Sequence, residues 1–304
     1  MHICPATSHA NFFAAALLVV IGAYVSKPVL AGETLERISR SGKVVLATRD
    51  ASIPFSYKDS GGKPVGYTVD ICLKLVDAIK IQLKRPDLRI EYMQVTPSSR
   101  FKAILDGQAD LECGPTTNTA ERRALVGFTI ANFIASARML VKKDSGIRNW
   151  ADLRNRTIVT TAATTNAKSI ADRNDVGALR ITLLEAKDDL ESFHQVETGK
   201  ADAFAMDDVL LYGLKAMARQ PADYQVVASP LTVEPYAIMF SKNDVELKKL
   251  MDAEMARIIY SGDMEKLYRK WFNSPIPPTG INLDMPMNAL LRNSFQFPSD
   301  KVAD

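Results

Sequence analysis

Residues 112–123, ECGPTTNTAERR, concentrate more potential chemistry than any other stretch of the chain. A short apolar segment, 109–113, runs into Gly114-Pro115 and a polar Thr-Thr-Asn-Thr turn. The turn opens a helix carrying Glu121, Arg122 and Arg123 in its first turn. Threonine and asparagine start helices because their side-chain oxygens accept backbone N–H groups. The N–H groups left over favour an anion, and Arg122 can offer a two-pronged fork to a carboxylate. The glycines of a nucleotide loop are missing, so the pattern suits a carboxylate and not a phosphate chain. Taken alone, the stretch also reads as a well-capped surface helix.

Two more arginines stand where elements end or begin. Arg49 closes the first strand in ATRDASIPFSY, and Arg100 sits in the first turn of the helix that follows VTPSSR. Arginine at a helix N-terminus opposes the helix dipole, so Arg100 is expected to serve something other than helix stability. A solvated surface charge is the alternative for both. Turned inward, they make an anion site separate from that of Arg122. Further along, TIVTTAATT (157–165) is a strand running into a threonine-rich helix start, with hydroxyls and N–H groups for the same carboxylate. Asp207-Asp208 follows the strand 201–206, at the rim where α/β sheets bind ligands. A carboxylate there can receive an ammonium group. Either aspartate can instead cap the next helix, and the two roles are compatible if one caps while the other binds. One molecule fits the set: an α-amino acid with an acidic side chain.

The elements that must position these residues alternate. Strands are expected over 43–48, 88–95, 109–113 and 137–142, then over 157–161, 181–184, 201–206, 225–228 and 235–241. Val69, Cys72, Val76, Ile79 and Leu83 recur at helical spacing. Ser98 or Ser99 caps a helix through Leu105, Thr164 and Asp188 open two more, and a fourth runs to Met217. The last two cover 245–260 and 263–272. This is an α/β chain. One internal echo stands out, FKAILDGQAD (101–110) and FHQVETGKAD (193–202), offset by 92 residues. Both read as helix, glycine, strand, and the pair suggests two similar lobes. The strands at 137–142 and 235–241 would then be the crossings between lobes, and so the hinge.

An export signal is expected over 1–31: an apolar run, 12–25, then Val29-Leu30-Ala31 at the cleavage positions. Ser26-Lys27-Pro28 interrupts the run too soon for a membrane span. The weak charge ahead of the run leaves a retained anchor as the alternative. Without Lys27 the remainder carries 37 basic and 35 acidic residues, net +2. With no lysine/arginine block, that balance argues against a nucleic-acid partner. Cys72 and Cys113 remain, one on an apolar helix face and one in a buried strand. An oxidising compartment permits one disulfide between them, but two buried free thiols are expected. There is no CxxC or HExxH, and two of the three histidines lie in the leader, so no zinc site or other cofactor is expected.

The chain resembles the periplasmic solute-binding proteins of polar amino acid ABC transporters, and among them the glutamate/aspartate-binding branch. The likeness runs through TLERISRSGKVVLATRD, PFSYKDSGGKPVGYTVDI, ECGPTTNTAERR, AFAMDD and SGDMEKLYRKWFNSPIPP. It implies a two-lobed type II (Venus-flytrap) α/β fold with a two-strand hinge. Lobe 1 would comprise 32–137 plus 241–281, lobe 2 would be 138–240, and 282–304 a C-terminal appendage. It also implies a periplasmic monomer that uses no cofactor and delivers an amino acid to ABC permease subunits at the inner membrane. Thr117, Arg122 and Thr165 would hold the α-carboxylate, Asp207 the α-ammonium, and Arg49 with Arg100 the side-chain carboxylate.

Three positions depart from that pattern. Pro97, Pro115 and Asp189 stand where relatives that bind acidic amino acids tend to carry serines and a histidine. Pro115 still offers its carbonyl to an ammonium, and Ser98 or Ser99 can replace the hydroxyl missing at Pro97. Asp189 repels a ligand carboxylate unless it is paired or protonated. A pair with Arg49 or Arg100 is expected, which would shift preference toward glutamine, asparagine or another neutral side chain. Two other functions compete. A cyclohexadienyl-dehydratase-like enzyme would need an acid or base aimed at a reacting atom. Asp189 and Asp207 look better placed for charge pairing, and His194 falls mid-helix. A binding lobe feeding a sensor is the second.

Overall fold

The computed structural model describes residues 1–2 and 33–301, so the segment read as an export signal lies almost wholly outside the described residues. Apolar runs without polar alternation must be covered on both faces. Two such runs, β1 (Lys43–Thr48) and β9 below, become central strands of two separate sheets. Before and after β1 come α1 (Glu33–Ser41), the short strands β2 (Ala51–Ser52), β3 (Ser56–Lys58) and β4 (Pro64–Val65), and α2 (Tyr67–Leu83). Then follow β5 (Arg89–Gln94), α3 (Arg100–Leu105), β6 (Leu111–Glu112), α4 (Ala120–Arg123) and β7 (Val126–Phe128). The long strand β8 (Phe133–Lys142) leads to β9 (Thr157–Thr161), α5 (Thr165–Gly177), β10 (Thr182–Ala186), α6 (Asp189–Glu197), β11 (Ala203–Asp207), α7 (Asp208–Met217) and β12 (Tyr224–Val226). The chain returns through β13 (Val233–Tyr236) and β14 (Met239–Ser241) to α8 (Val245–Tyr260), α9 (Asp263–Phe272) and α10 (Ala289–Gln296).

The first lobe is built on the sheet β5-β1-β6-β14-β7, the second on β10-β9-β11-β8-β12. In each, three neighbouring strands pair in parallel, and the strand from a crossing (β14 or β8) runs antiparallel to them and to the outermost strand (β7 or β12). The run expected as one strand over 235–241 is two. β13 pairs with the first half of β8, from Phe133↔Tyr236 to Ser136↔Val233, while β14 joins the first sheet beside β6 and β7. Ala237 and Ile238, both buried, make the change of sheet between them. This two-strand ladder, residues 133–136 against 233–236, is the double crossing. Its lower end is set in an aromatic cluster. Phe133 and Tyr236 pack with Phe55 at 5.0 and 5.2 Å, and Phe133 stacks on Phe272 at 5.1 Å.

The internal echo has a mechanical meaning. Asp110 donates its N–H to Val45 O (2.8 Å) and accepts the N–H of Val45 on its carboxylate (2.7 Å). Asp202 does the same with Thr157, at 2.7 and 2.8 Å. Each aspartate thus closes the exposed start of the neighbouring parallel strand, and a basic neighbour (Arg37 or Arg156) completes its shell. The repeated G-x-A-D is a strand-register clamp used once per lobe.

Another expectation changes. Cys72 and Cys113 are not free thiols: they form a disulfide with Cα atoms 6.1 Å apart. Cys72 does lie on the buried face of α2, with Val69, Val76 and Ile79, and that face packs where β6 ends. Helical periodicity located the residue but carried no information on which strand it would meet. The described part of 282–304, expected as an appendage, packs on β8 of the second lobe. α10 buries Leu291 completely, and Asn288 donates to Ile134 O of β8 at 3.0 Å.

The disulfide closes a loop over a sequence separation of 41 residues, which by chain entropy contributes about 3–4 kcal/mol. Cys72→Ala/Cys113→Ala should therefore lose at least that much in urea unfolding, with the two-lobed fold retained by circular dichroism.

Candidate functional site

All eight residues singled out above line one small cavity between the lobes: Arg49, Arg100, Pro115, Thr117, Arg122, Thr165, Asp189 and Asp207. Ser52, Pro97, Thr164, Asn166, Met206 and Leu210 complete its wall. The first lobe supplies the three arginines and the second supplies the two aspartates.

The loop 114–119 is held by the returning strand. Thr117 bridges Tyr236, Ala237 donates to Thr116 O (3.1 Å), and Asn118 donates to Pro235 O (2.8 Å). Thr119 caps α4, its hydroxyl accepting the N–H of Arg122 at 3.2 Å. The helix is a single turn, which is enough to aim Arg122 back across the loop, where its Nη1 donates to Thr117 O at 2.9 Å. α3 begins without a side-chain cap. Ser99 spends its hydroxyl on Thr96, and Ser98 and Ser99 are exposed outside the cavity, so neither replaces the hydroxyl missing at Pro97. Pro97 acts through its backbone instead, its carbonyl accepting from Arg100 Nη1 at 2.8 Å. Phe101 lies under both Arg100 and Arg122, its ring centre 5.1 and 5.4 Å from their guanidinium carbons. Cations over an aromatic face are attracted by its quadrupole.

Charge sets the character of the site. Burial, then repulsion from Arg49 and Arg122, pushes Arg100 well below the ordinary arginine value. Its Nε is buried with no hydrogen-bond partner among the described residues. Burial also lowers Arg122, against the pull of Glu234 and Asp207. Arg49 is paired with Glu112, Nε to Oε1 at 3.2 Å, both side chains nearly inaccessible. That pair replaces the expected one with Asp189. Among the described residues Asp189 has no arginine within ion-pair distance, and accepts instead from the hydroxyls of Thr161 (2.7 Å) and Ser52 (3.4 Å). Burial raises its pKa. A carboxylate pairs with the cation that its backbone brings close. Glu112 ends β6 beside β1, whereas Asp189 starts a helix of the other lobe.

Asp207 stands at the N-cap position of α7 but does not cap it. Its carboxylate receives Asn166 Nδ2 (2.9 Å) and the Tyr236 hydroxyl. Burial and then Glu234 raise its pKa to about 8. Asp208 takes the structural role, accepting from Val209 N and Ser136 N and pairing with Arg138 at 3.3 Å. Glu234 accepts the hydroxyls of Thr165 (2.8 Å) and Thr232. His194 is exposed on α6 beside Glu197, away from the cavity. Glu112, Asn166, Glu234 and Tyr236 were missed by sequence reasoning. Glu112 is the first residue of the 112–123 motif and Asn166 follows the 157–165 one, but no local pattern marks Glu234 or Tyr236.

With this geometry in hand, comparison with known proteins is informative. A family model described as bacterial extracellular solute-binding proteins, family 3, matches residues 44–274. The chain is 41% identical over 289 residues to the L-glutamate/L-aspartate-binding protein of Pseudomonas aeruginosa, covering 94% of this chain and 96% of that one. It is 37% identical over 272 residues to the glutamate/aspartate import solute-binding protein of Escherichia coli, covering 90% of each. Among solved structures, a mutant arginine-binding protein, ArgBP of T. maritima, superposes with a TM-score of 0.70 at 22% identity, over 79% of this chain and 99% of that one. The last likeness bears on fold alone: a two-lobed periplasmic-binding-protein architecture.

Asp207 gives a pH test. An unfolded aspartate ionises near about 3.9, whereas the folded one holds its proton to about 8. The folded state therefore binds more protons between those values, and stability falls as pH rises through them. Asp207→Asn should remove that slope, gaining on the order of a few kcal/mol over the parent at pH 8 and losing the advantage toward pH 4. Urea unfolding across the range reads it.

Proposed function

The chain belongs to family 3 of the bacterial extracellular solute-binding proteins, and on that footing we propose that it closes on L-glutamate or L-aspartate and delivers it to an ABC importer. One observation carries the reading: three arginines of one lobe and a buried aspartate of the other face a single small cavity. Arg122 with the hydroxyls of Thr117 and Thr165 receives the α-carboxylate. Asp207 and the carbonyl of Pro115 receive the α-ammonium. Arg49 and Arg100, whose Nε lacks a partner among the described residues, receive the side-chain carboxylate. Nothing here makes or breaks a covalent bond, so the proposed chemistry is binding and release without a cofactor. The chain would work as a periplasmic monomer, its second lobe spanning 138–240, and would dock on the permease subunits.

Magnitudes are consistent with a micromolar site. Four or five charge-assisted hydrogen bonds at roughly 1.5–3 kcal/mol each, less ordering and closure costs, leave the about 8 kcal/mol required. Asp189 favours a second reading, an amide side chain, because among the described residues no arginine lies within ion-pair distance of it. Its raised pKa reconciles the two. As the acid it donates a hydrogen bond to a ligand carboxylate, and as the carboxylate it repels one.

Isothermal titration with L-glutamate, L-aspartate, L-glutamine and L-asparagine should show micromolar or tighter binding of the acidic pair. Arg122→Ala should weaken it by about tenfold to a hundredfold. No binding of any of the four would sink the reading. Raising the pH aids every ligand at Asp207, so the difference between glutamate and glutamine isolates Asp189. Glutamate should lose ground to glutamine as pH rises above the ordinary carboxylate range, and the non-titrating Asp189→Asn should abolish that trend.

A further inference from the structure

Gly213 occupies the interior of α7, a position where glycine is the least favourable residue after proline. A Cβ built there would lie 2.7 Å from the carbonyl oxygen of Ile53 and 3.3 Å from its carbonyl carbon. Those are backbone atoms, which cannot swing aside. Ile53 belongs to the first lobe, between β2 and β3, whereas α7 packs on β8, β11 and β12 of the second. The preceding residue, Ser52, reaches the second lobe as well, its hydroxyl donating to Asp189 Oδ2 at 3.4 Å. The turn at 52–53 is therefore seated in a notch, with the start of α6 on one side and α7 on the other. The floor of that notch is the bare backbone of Gly213.

We infer that Gly213 sets how far the cleft can close: it is a positioning residue for ligand binding, although it does not line the cavity. The two lobes are joined through the strand crossings, so contacts between them are made and broken as the hinge turns. A side chain at 213 would stop the rotation early and hold Ser52 away from Asp189. The cavity wall contributed by Ser52 and Asp189 would not assemble, while each lobe kept its own core. The same clash inside a single packed lobe would have no such relief.

Gly213→Ala tests this, with L-glutamate as the probe, and so rests on the ligand reading above. The expected variant folds, with a melting temperature no more than about 3 °C below the parent. Its affinity for L-glutamate falls at least tenfold, through faster release. Its radius of gyration by small-angle scattering fails to contract on saturation as the parent's does. A variant that binds and contracts like the parent overturns the inference. So does one that loses its fold, since strain between lobes is relieved by opening whereas strain within a lobe is not. If the parent itself ignores L-glutamate, the ligand reading fails and the closure question is decided separately. In crystals of Gly213→Ala and the parent grown alike with L-glutamate, loss of the Ser52–Asp189 hydrogen bond in the variant alone supports the inference, and its retention at 3.4 Å in both overturns it.

Discussion

Three guanidinium groups held together out of water repel one another, and much of the structure around the cleft answers that constraint. Arg100 carries the cost most openly: burial disfavours its charge first, and Arg49 and Arg122 disfavour it further. Carboxylates are set against each cation, Glu112 in contact with Arg49, Glu234 and Asp207 acting on Arg122. The compensation stops short of neutrality in effect, because Asp189 and Asp207 are both pushed toward their protonated forms. Each shift toward the acid removes negative charge that would otherwise offset the three guanidinium groups. A buried, preorganised surplus of positive charge is strongly completed by an anion, since a low local dielectric magnifies the attraction as it magnified the repulsion.

The returning strand is the frame on which this balance is mounted. β13 and the residues beside it bridge Thr117, accept Thr165 through Glu234, and place the Tyr236 hydroxyl on Asp207. Groups fixed to a hinge strand keep their relation while the lobes turn. The other end of the cavity differs. Ser52 meets Asp189 and Arg100 reaches Ala163 O (3.4 Å) only across the cleft. In the proposed binding mode, the amino acid's common α-groups fall at the fixed end and its side chain at the end that closure assembles. Selection among side chains would then be made by closing and not by docking.

Much of this was legible in the sequence because it is local. Thr119 and Thr164 cap helices through oxygens three residues from their donors. The helices at 245–260 and 263–272 follow from periodicity alone. What stayed hidden depends on contacts distant in sequence. The partner of Arg49 is 63 residues away and that of Asp207 is 29 or 41 away, depending on the donor. Apolar patterning says that 235–241 is buried but not that it changes sheets midway, since the alternation runs on unbroken, Tyr236, Ile238 and Phe240 facing one core and Ala237 and Met239 another. Glu234 illustrates the limit best. A glutamate between a valine and a proline gives no sign that it will be buried, and only the β8–β13 ladder turns it inward toward Thr165.

Asp207 joins the two themes, charge and closure. A buried carboxyl at neutral pH is cheaper to hold as the acid, and its neighbours do not fully oppose that, since the Asn166 and Tyr236 donors are outweighed by burial and by Glu234. An ammonium arriving at Asp207 brings the counter-charge that makes ionisation favourable there, so the proton and the ligand compete for one group. The proposed exchange balances the ammonium alone, because the site gives up a proton as it gains an ammonium, and leaves the arginines to be met by the ligand's carboxylates. A cleft that swaps one positive charge for another avoids burying an uncompensated carboxylate before the ligand arrives, and avoids a surplus cation afterward. The pKa that looks like a defect of burial is, on this reading, what lets a water-poor cleft take up a zwitterion.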